Sequence, residues 1–320
     1  MDTNGHSSAV PEREGYHNMN DKIVTFPIKK GMDSVPRLSM ILWGLANVGK
    51  TTWAATAPGE KLWLAFGDSE HASVIHRKDV RVMELFQKSQ EEIFRHGIGP
   101  NPFGLDKYLY ENKDVKSLVC DSLTAIQQLA LEKSVADGVG KSTNFTPTMQ
   151  APGRPAFGGR NQNLISMMKS LLQVTAKHGV HIIFTAHEND PVTKSDGRGN
   201  DTLESINMSL GGQLINIVSS QLSEIWNLRQ EPGGKRNRLV TTRVSGYRRP
   251  LKTRMFDQKK EAAFVLQYDP DRPDGDKDQM TIAKFYDQWV RGGMRRISVP
   301  DNRRGGDISD NSEQRHKSSV

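Results

Sequence analysis

Adjacent lysine and threonine residues follow a glycine-rich stretch near the start of the chain, where residues 44–51 read G-L-A-N-V-G-K-T. Residues 40–43 before them are apolar and favour a strand, and residues 52–57 favour a helix that Pro58 would end. In such a loop, backbone N–H groups surround phosphate oxygens, the lysine contacts the β and γ phosphates, and the threonine hydroxyl ligates Mg²⁺. A plain glycine-rich turn would leave the Lys50-Thr51 pair unexplained. The predicted nucleotide-binding residues are Gly44, Leu45, Ala46, Asn47, Val48, Gly49, Lys50, Thr51 and Thr52.

A second apolar run, residues 61–66, leads into acidic residues at positions 68 and 70. Ligands of parallel α/β sheets bind at the carboxyl ends of the strands, so Glu70 or Asp68 could orient the water that attacks the γ phosphate. Asp68 or Ser69 could instead cap a following helix, and this interpretation is compatible with the first.

A third apolar run, residues 115–120, ends at Asp121. An acid at the end of such a strand can hold Mg²⁺ together with the loop hydroxyl of Thr51. The spacing from the phosphate loop predicts that this strand lies next to the strand that precedes the loop.

The apolar residues 180–186 predict another buried strand, which ends in polar residues. If it neighbours the strand of Asp121, then Thr185 or His187 would lie beside the γ phosphate and could sense it. His187 has no accompanying His/Cys cluster, so a metal-ligand role is not favoured. A histidine at a strand end with no part in the chemistry is the alternative.

Two segments are rich in loop-forming residues, residues 138–160 and residues 190–208. Long loops without periodicity are either functional or simply disordered surface. Aromatic residues beside arginines suit stacking on unpaired bases and contact with phosphates. The candidate DNA-binding residues are Arg154, Phe157, Arg160, Lys194 and Arg198.

The basic charge of the chain is concentrated in one place. Residues 229–260 contain eleven Lys or Arg residues and two acids, a surplus of nine that exceeds the net charge of +7. Such a patch is typical of proteins that bind nucleic acid, although an ordinary solvated face can look the same. The pattern predicts two strands here, residues 238–245 and 251–256, joined by a turn.

The 320 residues are enough for one large α/β domain with tails or for two small domains. We expect a disordered leader at residues 1–22, an ATPase domain at residues 23–290 and a disordered tail at residues 291–320. Residues 23–28 could form an edge strand or an arm that docks on a neighbouring copy. Helical periodicity predicts helices over residues 123–137, 161–178, 213–220 and 280–290.

The distribution of apolar residues and the number of cysteines bear on membrane association and on the cellular compartment. The sequence contains no run of 18 apolar residues, and residues 1–20 lack the apolar core of a signal peptide. Neither a transmembrane helix nor membrane binding is therefore expected. The single cysteine, Cys120, fits a reducing cytosol, so we expect a cytoplasmic protein.

The order of these motifs resembles that of the RecA-like recombinase ATPases, and most closely the phage-encoded members reduced to the core domain. The resemblance covers about residues 38–257 and includes Asp68-Ser69-Glu70-His71-Ala72, Cys120-Asp121-Ser122 and Thr185-Ala186-His187-Glu188. It implies a three-layer α/β/α fold with a mostly parallel sheet and makes Glu70 the catalytic base. It also places DNA-binding loops at about residues 152–160 and before Gly211-Gly212.

The same resemblance implies a function. It points to an ATPase that uses ATP and Mg²⁺ and acts as an oligomer, a filament or a ring, on single-stranded DNA in annealing or strand pairing. A single-strand-binding protein is a further candidate partner, and the compartment would be the host cytoplasm if the chain is phage-encoded. Arg248 and Arg249 are candidates for a cation supplied to a neighbour's ATP. A DNA-coating module that does not hydrolyse ATP, or a helicase or packaging motor, are the alternatives.

Overall fold

The computed structural model describes residues 36–195, 201–230, 237–242, 247–257, 263–267 and 280–298. The leader, the residues 23–28 and most of the C-terminal tail therefore lie outside the described residues. The strands are β1 (Ser39–Gly44), β2 (Glu60–Ala65), β3 (Val80–Glu84), β4 (Val115–Asp121), β5 (His181–His187), β6 (Val192–Ser195), β7 (Asp201–Asn207), β8 (Glu224–Gln230), β9 (Asn237–Thr241), β10 (Arg248–Arg249) and β11 (Ala263–Gln267). The α-helices are α1 (Lys50–Ala54), α2 (Gln90–Gly97), α3 (Leu105–Glu111), α4 (Leu123–Ala136), α5 (Gly153–His178), α6 (Leu214–Gln221) and α7 (Ile282–Arg291), and a 3-10 helix spans Pro102–Gly104.

An eight-stranded sheet in the order β11-β9-β8-β1-β5-β4-β2-β3 forms the centre of the fold. From β8 to β3 all neighbours are parallel, whereas β9 and β11 are antiparallel additions. The prediction of a mostly parallel sheet is confirmed. The prediction that the Asp121 strand adjoins the phosphate-loop strand is wrong, because β5 lies between β1 and β4. Distance along the chain does not fix adjacency, and β5 is buried over all its residues except the last, which suits a central position.

Side chains alternate between the two faces of the sheet and build two cores. In β1, Ile41 and Trp43 pack in the core beneath α2 to α6, while Met40 and Leu42 pack in the core beneath α1 and α7. This arrangement is the three-layer α/β/α architecture expected from the sequence. Within the described residues, no helix is both long and apolar enough to cross a membrane.

Helix α5 is longer than the sequence predicted, since it begins at Gly153 and not at residue 161. The glycines and Pro155 made this stretch look like a loop. Pro155 lies in the first turn, where a helix does not need its missing N–H, and Gly159 is required because an added Cβ would lie 2.8 Å from Ser134 Oγ of α4. The expected DNA-binding loop of residues 152–160 is therefore the start of a helix.

The other predicted loop and the predicted basic hairpin also fold differently. Strands β6 and β7 pair as an antiparallel hairpin within residues 190–208, and β10 joins this small sheet beside β7. Strand β9 pairs with β8 and β11, so residues 251–256 are not its partner strand. Of the two predicted strands, the first is confirmed in part as β9, whereas residues 251–256 contribute only isolated bridges at Lys252 and Phe256. Strand partners depend on long-range pairing that periodicity does not encode.

A buried glutamate in β8 makes the stability of this sheet depend on pH. Glu224 is 1% exposed and accepts hydrogen bonds from Trp226 Nε1 (2.9 Å), Thr253 Oγ1 (2.6 Å) and the Arg254 backbone N–H (2.7 Å). Burial nevertheless raises the pKa of Glu224 from its ordinary value of 4.5 to about 7. A folded-state pKa above the unfolded value stabilises the fold at low pH, and that stabilisation is lost as the pH rises through about 7.

We therefore expect the melting temperature of the wild type to fall more steeply between about pH 5 and about pH 8 than that of Glu224→Gln, which cannot ionise. Thermal unfolding across this range measures both slopes. Burial raises the pKa of Asp121 to about 7 as well, so both proteins keep its contribution to the pH dependence. The contribution of Glu224 is therefore the difference between the slopes of melting temperature against pH for the two proteins. Parallel slopes would show that Glu224 does not control this pH dependence.

Candidate nucleotide-binding site

The glycine-rich stretch forms the connection between β1, which ends at Gly44, and α1, which begins at Lys50. A Cβ added to Gly44 would lie 2.1 Å from the backbone oxygen of Leu228 in β8, so only glycine fits there. Gly49 has a φ of 88° immediately before α1, a left-handed conformation that favours glycine. Both glycines of the motif are thus required by the backbone path.

The outer side of this loop presents backbone donors. Leu45, Ala46 and Asn47 are exposed, and no hydrogen bond within the described part of the chain uses the backbone N–H groups of residues 46–51. Unused N–H groups that converge on one loop suit an anion such as a phosphate. The loop geometry therefore fits the nucleotide that the sequence predicted.

Lys50 lies along this loop, with Nζ donating hydrogen bonds to the carbonyl oxygens of Gly44 (3.0 Å) and Leu45 (2.6 Å). The side chain is buried, and this desolvation lowers its pKa to about 8 in spite of the acidic neighbours Asp121, Glu188 and Glu70. A phosphate anion would favour the charged form of Lys50. The site thus holds a lysine whose charge is stabilised by the ligand that it is expected to bind.

Asp121 lies at the end of β4 and connects the loop to the next strand. Its Oδ2 accepts a hydrogen bond from Thr51 Oγ1 (2.9 Å), and its other carboxylate oxygen accepts one from Thr185 Oγ1 of β5. Burial, followed by the negative charge of Glu70, raises the pKa of Asp121 to about 7. A hydroxyl and a carboxylate in contact offer the oxygen ligands that Mg²⁺ prefers, so Thr51 and Asp121 fit a magnesium site.

Glu70 lies in the turns that follow β2 and points toward the same region. Its carboxylate accepts hydrogen bonds from Ser122 Oγ (2.8 Å) and the Gly67 backbone N–H (3.1 Å), and burial raises its pKa. Asp68 is exposed, so of these two acids Glu70 is the one whose carboxylate lies at the site. The helix-cap interpretation of Asp68 and Ser69 is wrong, because residues 68–76 form a succession of turns and no helix begins there.

The end of β5 adjoins the phosphate loop directly, since His187 pairs with Gly44. Thr185 is buried against Asp121, whereas His187 is half-buried and burial lowers its pKa. The backbone N–H of His187 is bound by Thr124 Oγ1 of α4 (3.0 Å). Both predicted sensor residues thus lie at the site, and their role stays a prediction.

Three further residues at the site were missed by sequence reasoning. Asn227 Nδ2 in β8 donates to Glu188 Oε2 (3.1 Å) and to the Trp43 carbonyl (3.2 Å), and Arg238 Nε in β9 donates to the Val48 carbonyl (2.7 Å). Glu188 directly follows His187 in the motif Thr185-Ala186-His187-Glu188, which is a local signal for its place at the site. Asn227 and Arg238 carry no local signal, because only the pairing of β8 and β9 brings them to the loop.

The DNA-binding candidates are not all equivalent in the structure. Arg154 and Phe157 are exposed near the start of α5, and Lys194 is exposed in β6. Arg160 is instead buried, lies 5.0 Å from the Phe157 ring centroid and is 3.5 Å from the Gly211 carbonyl, so it connects α5 with the segment before α6. The proposal of Arg160 as a surface contact for DNA is therefore corrected, and Arg198 lies outside the described residues.

A comparison with protein-family models identifies the family of this chain. The model of the AAA domain matches residues 37–254, which is more than half of the chain. The chain belongs to this family. AAA domains are P-loop ATPase domains, so the match supports nucleotide binding at the loop of residues 44–51. No curated protein matches the chain.

Lys50 offers the most direct test of the site. Replacing Lys50 by alanine should reduce ATP turnover by at least about a hundredfold, because it removes the cation expected at the transferred phosphate. Steady-state phosphate release measures this, with Lys107→Ala, an exposed lysine of α3, as a matched control. Normal turnover in Lys50→Ala would contradict the assignment of the site.

Proposed function

We propose that the protein is an ATP-hydrolysing enzyme that acts on single-stranded DNA as an oligomer, in annealing or strand pairing. The observation that carries the proposal is the route from the nucleotide site to the β6–β7 hairpin. Strand β5 ends beside the phosphate loop, and the chain then enters the hairpin directly. Both ends of the hairpin are bound there, since Ser209 N–H donates to the His187 carbonyl (2.7 Å) and Asn189 N–H donates to the Asn207 carbonyl (2.8 Å).

Hydrolysis at this site would depend mainly on positioning and electrostatics. Lys50 binds the terminal phosphates, and Thr51 and Asp121 hold Mg²⁺, which when bound neutralises charge on the phosphate oxygens. Glu70 orients the attacking water, and its hydrogen bonds to Ser122 and Gly67 fix the direction of its carboxylate. Burial raises the pKa of Glu70, which makes its carboxylate a better proton acceptor than an exposed one.

The proposed DNA contacts lie on two elements. Lys194 is exposed on the hairpin and suits a phosphate contact, while Arg154 and the 40% exposed Phe157 suit a phosphate contact and base stacking at the start of α5. Arg160 connects the start of α5 with the segment that follows the hairpin, through its contact with the Gly211 carbonyl. Binding that rests on phosphate contacts should weaken steeply as salt is added.

The cation that reaches a neighbouring subunit's ATP is proposed to be Arg248 or Arg249. Both lie in β10, which pairs with β7 so that Arg249 stands opposite Asn207. Arg249 is exposed and Arg248 is half-buried. Their attachment to the hairpin would let DNA binding on one subunit influence hydrolysis on the next.

The test is steady-state ATP hydrolysis with and without single-stranded DNA. We expect DNA to stimulate the wild type and Glu70→Gln to lose turnover by about a hundredfold while it still binds nucleotide. Lys194→Ala should need more DNA for half-maximal stimulation, whereas Lys88→Ala, an exposed lysine outside the hairpin, should not.

Other outcomes distinguish the alternatives. Tight DNA binding without hydrolysis, in both the wild type and Glu70→Gln, would favour a DNA-coating module in which nucleotide is structural. Stable rings that move along DNA would favour a motor. Hydrolysis that no nucleic acid affects would contradict the proposal that DNA is the partner.

A further inference from the structure

The phosphate loop is braced from one side by the β8–β9 strand pair, which contributes neither the lysine nor the acids of the site. At the start of the loop, Gly44 approaches the Leu228 oxygen of β8 so closely that no side chain fits. At its end, Arg238 Nε of β9 donates a 2.7 Å hydrogen bond to the Val48 carbonyl. The two contacts lie at opposite ends of the same loop.

The strand register directs Arg238 toward the loop. Residues 238 and 240 of a strand point to the same face, and Val240 packs in the core that contains Val48 and Trp53 of α1. Arg238 is paired on both sides, opposite Gln230 of β8 and Leu266 of β11. Its backbone therefore cannot shift without disturbing two strand ladders.

The hydrogen bond to Val48 also fixes the direction of a donor in the loop. The Val48–Gly49 peptide is trans, so its C=O and its N–H point in opposite directions. When Arg238 holds the carbonyl, the Gly49 N–H must point away from Arg238, and no hydrogen bond within the described residues uses it. Gly49 has no Cβ to restrict its backbone, so this peptide unit would rotate more easily without the hydrogen bond.

Arg238 is also a charged side chain with only 7% exposure. A buried guanidinium is costly unless hydrogen bonds or a nearby negative charge compensate for it. The hydrogen bond from Nε to the Val48 carbonyl is one such compensation, so the burial of Arg238 favours keeping this contact with the loop.

We infer that Arg238 is a positioning residue for nucleotide binding: it orients the Val48–Gly49 peptide so that the Gly49 N–H faces the phosphates. The inference rests on the nucleotide site described above. It assigns a role to a strand that sequence motifs do not mark. Strand β9, which extends the sheet in antiparallel direction, would thus help to position the bound phosphates.

Two substitutions separate the hydrogen bond from the charge. In Arg238→Gln the amide nitrogen occupies the same place along the side chain as Nε, so the donor is kept and the charge is lost. In Arg238→Met a methyl group occupies that place, so both are lost. Arg295→Met, at an exposed arginine after α7, is the control for loss of an arginine.

The measurement is equilibrium binding of a fluorescent ADP analogue in Mg²⁺, with thermal unfolding of each variant without nucleotide. We expect Arg238→Met to weaken binding about tenfold and Arg238→Gln to recover to within about threefold of the wild type, at melting temperatures that do not follow this order. The control should bind like the wild type.

Equal affinity of Arg238→Met and the wild type would overturn the inference. So would Arg238→Gln binding as weakly as Arg238→Met, since the donor would then have no role. If Arg238→Met does not fold, the comparison of Arg238→Gln with the wild type decides, because a loss beyond about threefold would contradict a role through the donor. Failure of the wild type to bind the analogue would instead refute the nucleotide site itself.

Discussion

The position of β1 between β5 and β8 is the constraint on which the site depends. Parallel pairing brings the carboxyl ends of these strands to one edge, so that Gly44 lies beside His187 on one side and the end of β8 on the other. The close approach of Gly44 to Leu228 leaves no room for a side chain at this point. The strands next in order, β4 beside β5 and β9 beside β8, then bring Asp121 and Arg238 to the phosphate loop.

The same edge gathers opposing charges in a partly buried space. Burial lowers the pKa of Lys50 and raises the pKa values of Asp121 and Glu70. The negative charge of Glu70 raises the pKa of Asp121 further. The two acids and the lysine therefore each bear a desolvation cost that a phosphate and a cation would reduce. The electrostatics of the edge match a negatively charged ligand accompanied by a metal ion.

Much of this edge was predictable because its signals are local. The glycines, Lys50 and Thr51 follow one strand, and Glu70 and Asp121 follow two others, so each could be identified from its own short stretch. The central position of β5 was not predictable, since it depends on which strands pair. The same limit applies to Asn227 and Arg238, which reach the site only through β8 and β9.

The errors in the outer segments have a different cause. The glycines and the proline at the start of α5 suggested a loop, but packing against α4 overrides their low helix propensity. Arg160 looked like a surface cation and is buried beside Phe157 and Gly211. In both cases tertiary contacts, which a single sequence does not display, decided the outcome.

The central claim is that Lys50, Thr51 and Asp121 form one site for nucleotide and Mg²⁺. Isothermal titration calorimetry with a non-hydrolysable ATP analogue tests it most directly, in Mg²⁺ and again in EDTA, for the wild type and Asp121→Asn. The account predicts a single binding event per chain that Mg²⁺ strengthens, and a smaller Mg²⁺ effect in Asp121→Asn. No binding in Mg²⁺, or an affinity that neither EDTA nor Asp121→Asn changes, would contradict it.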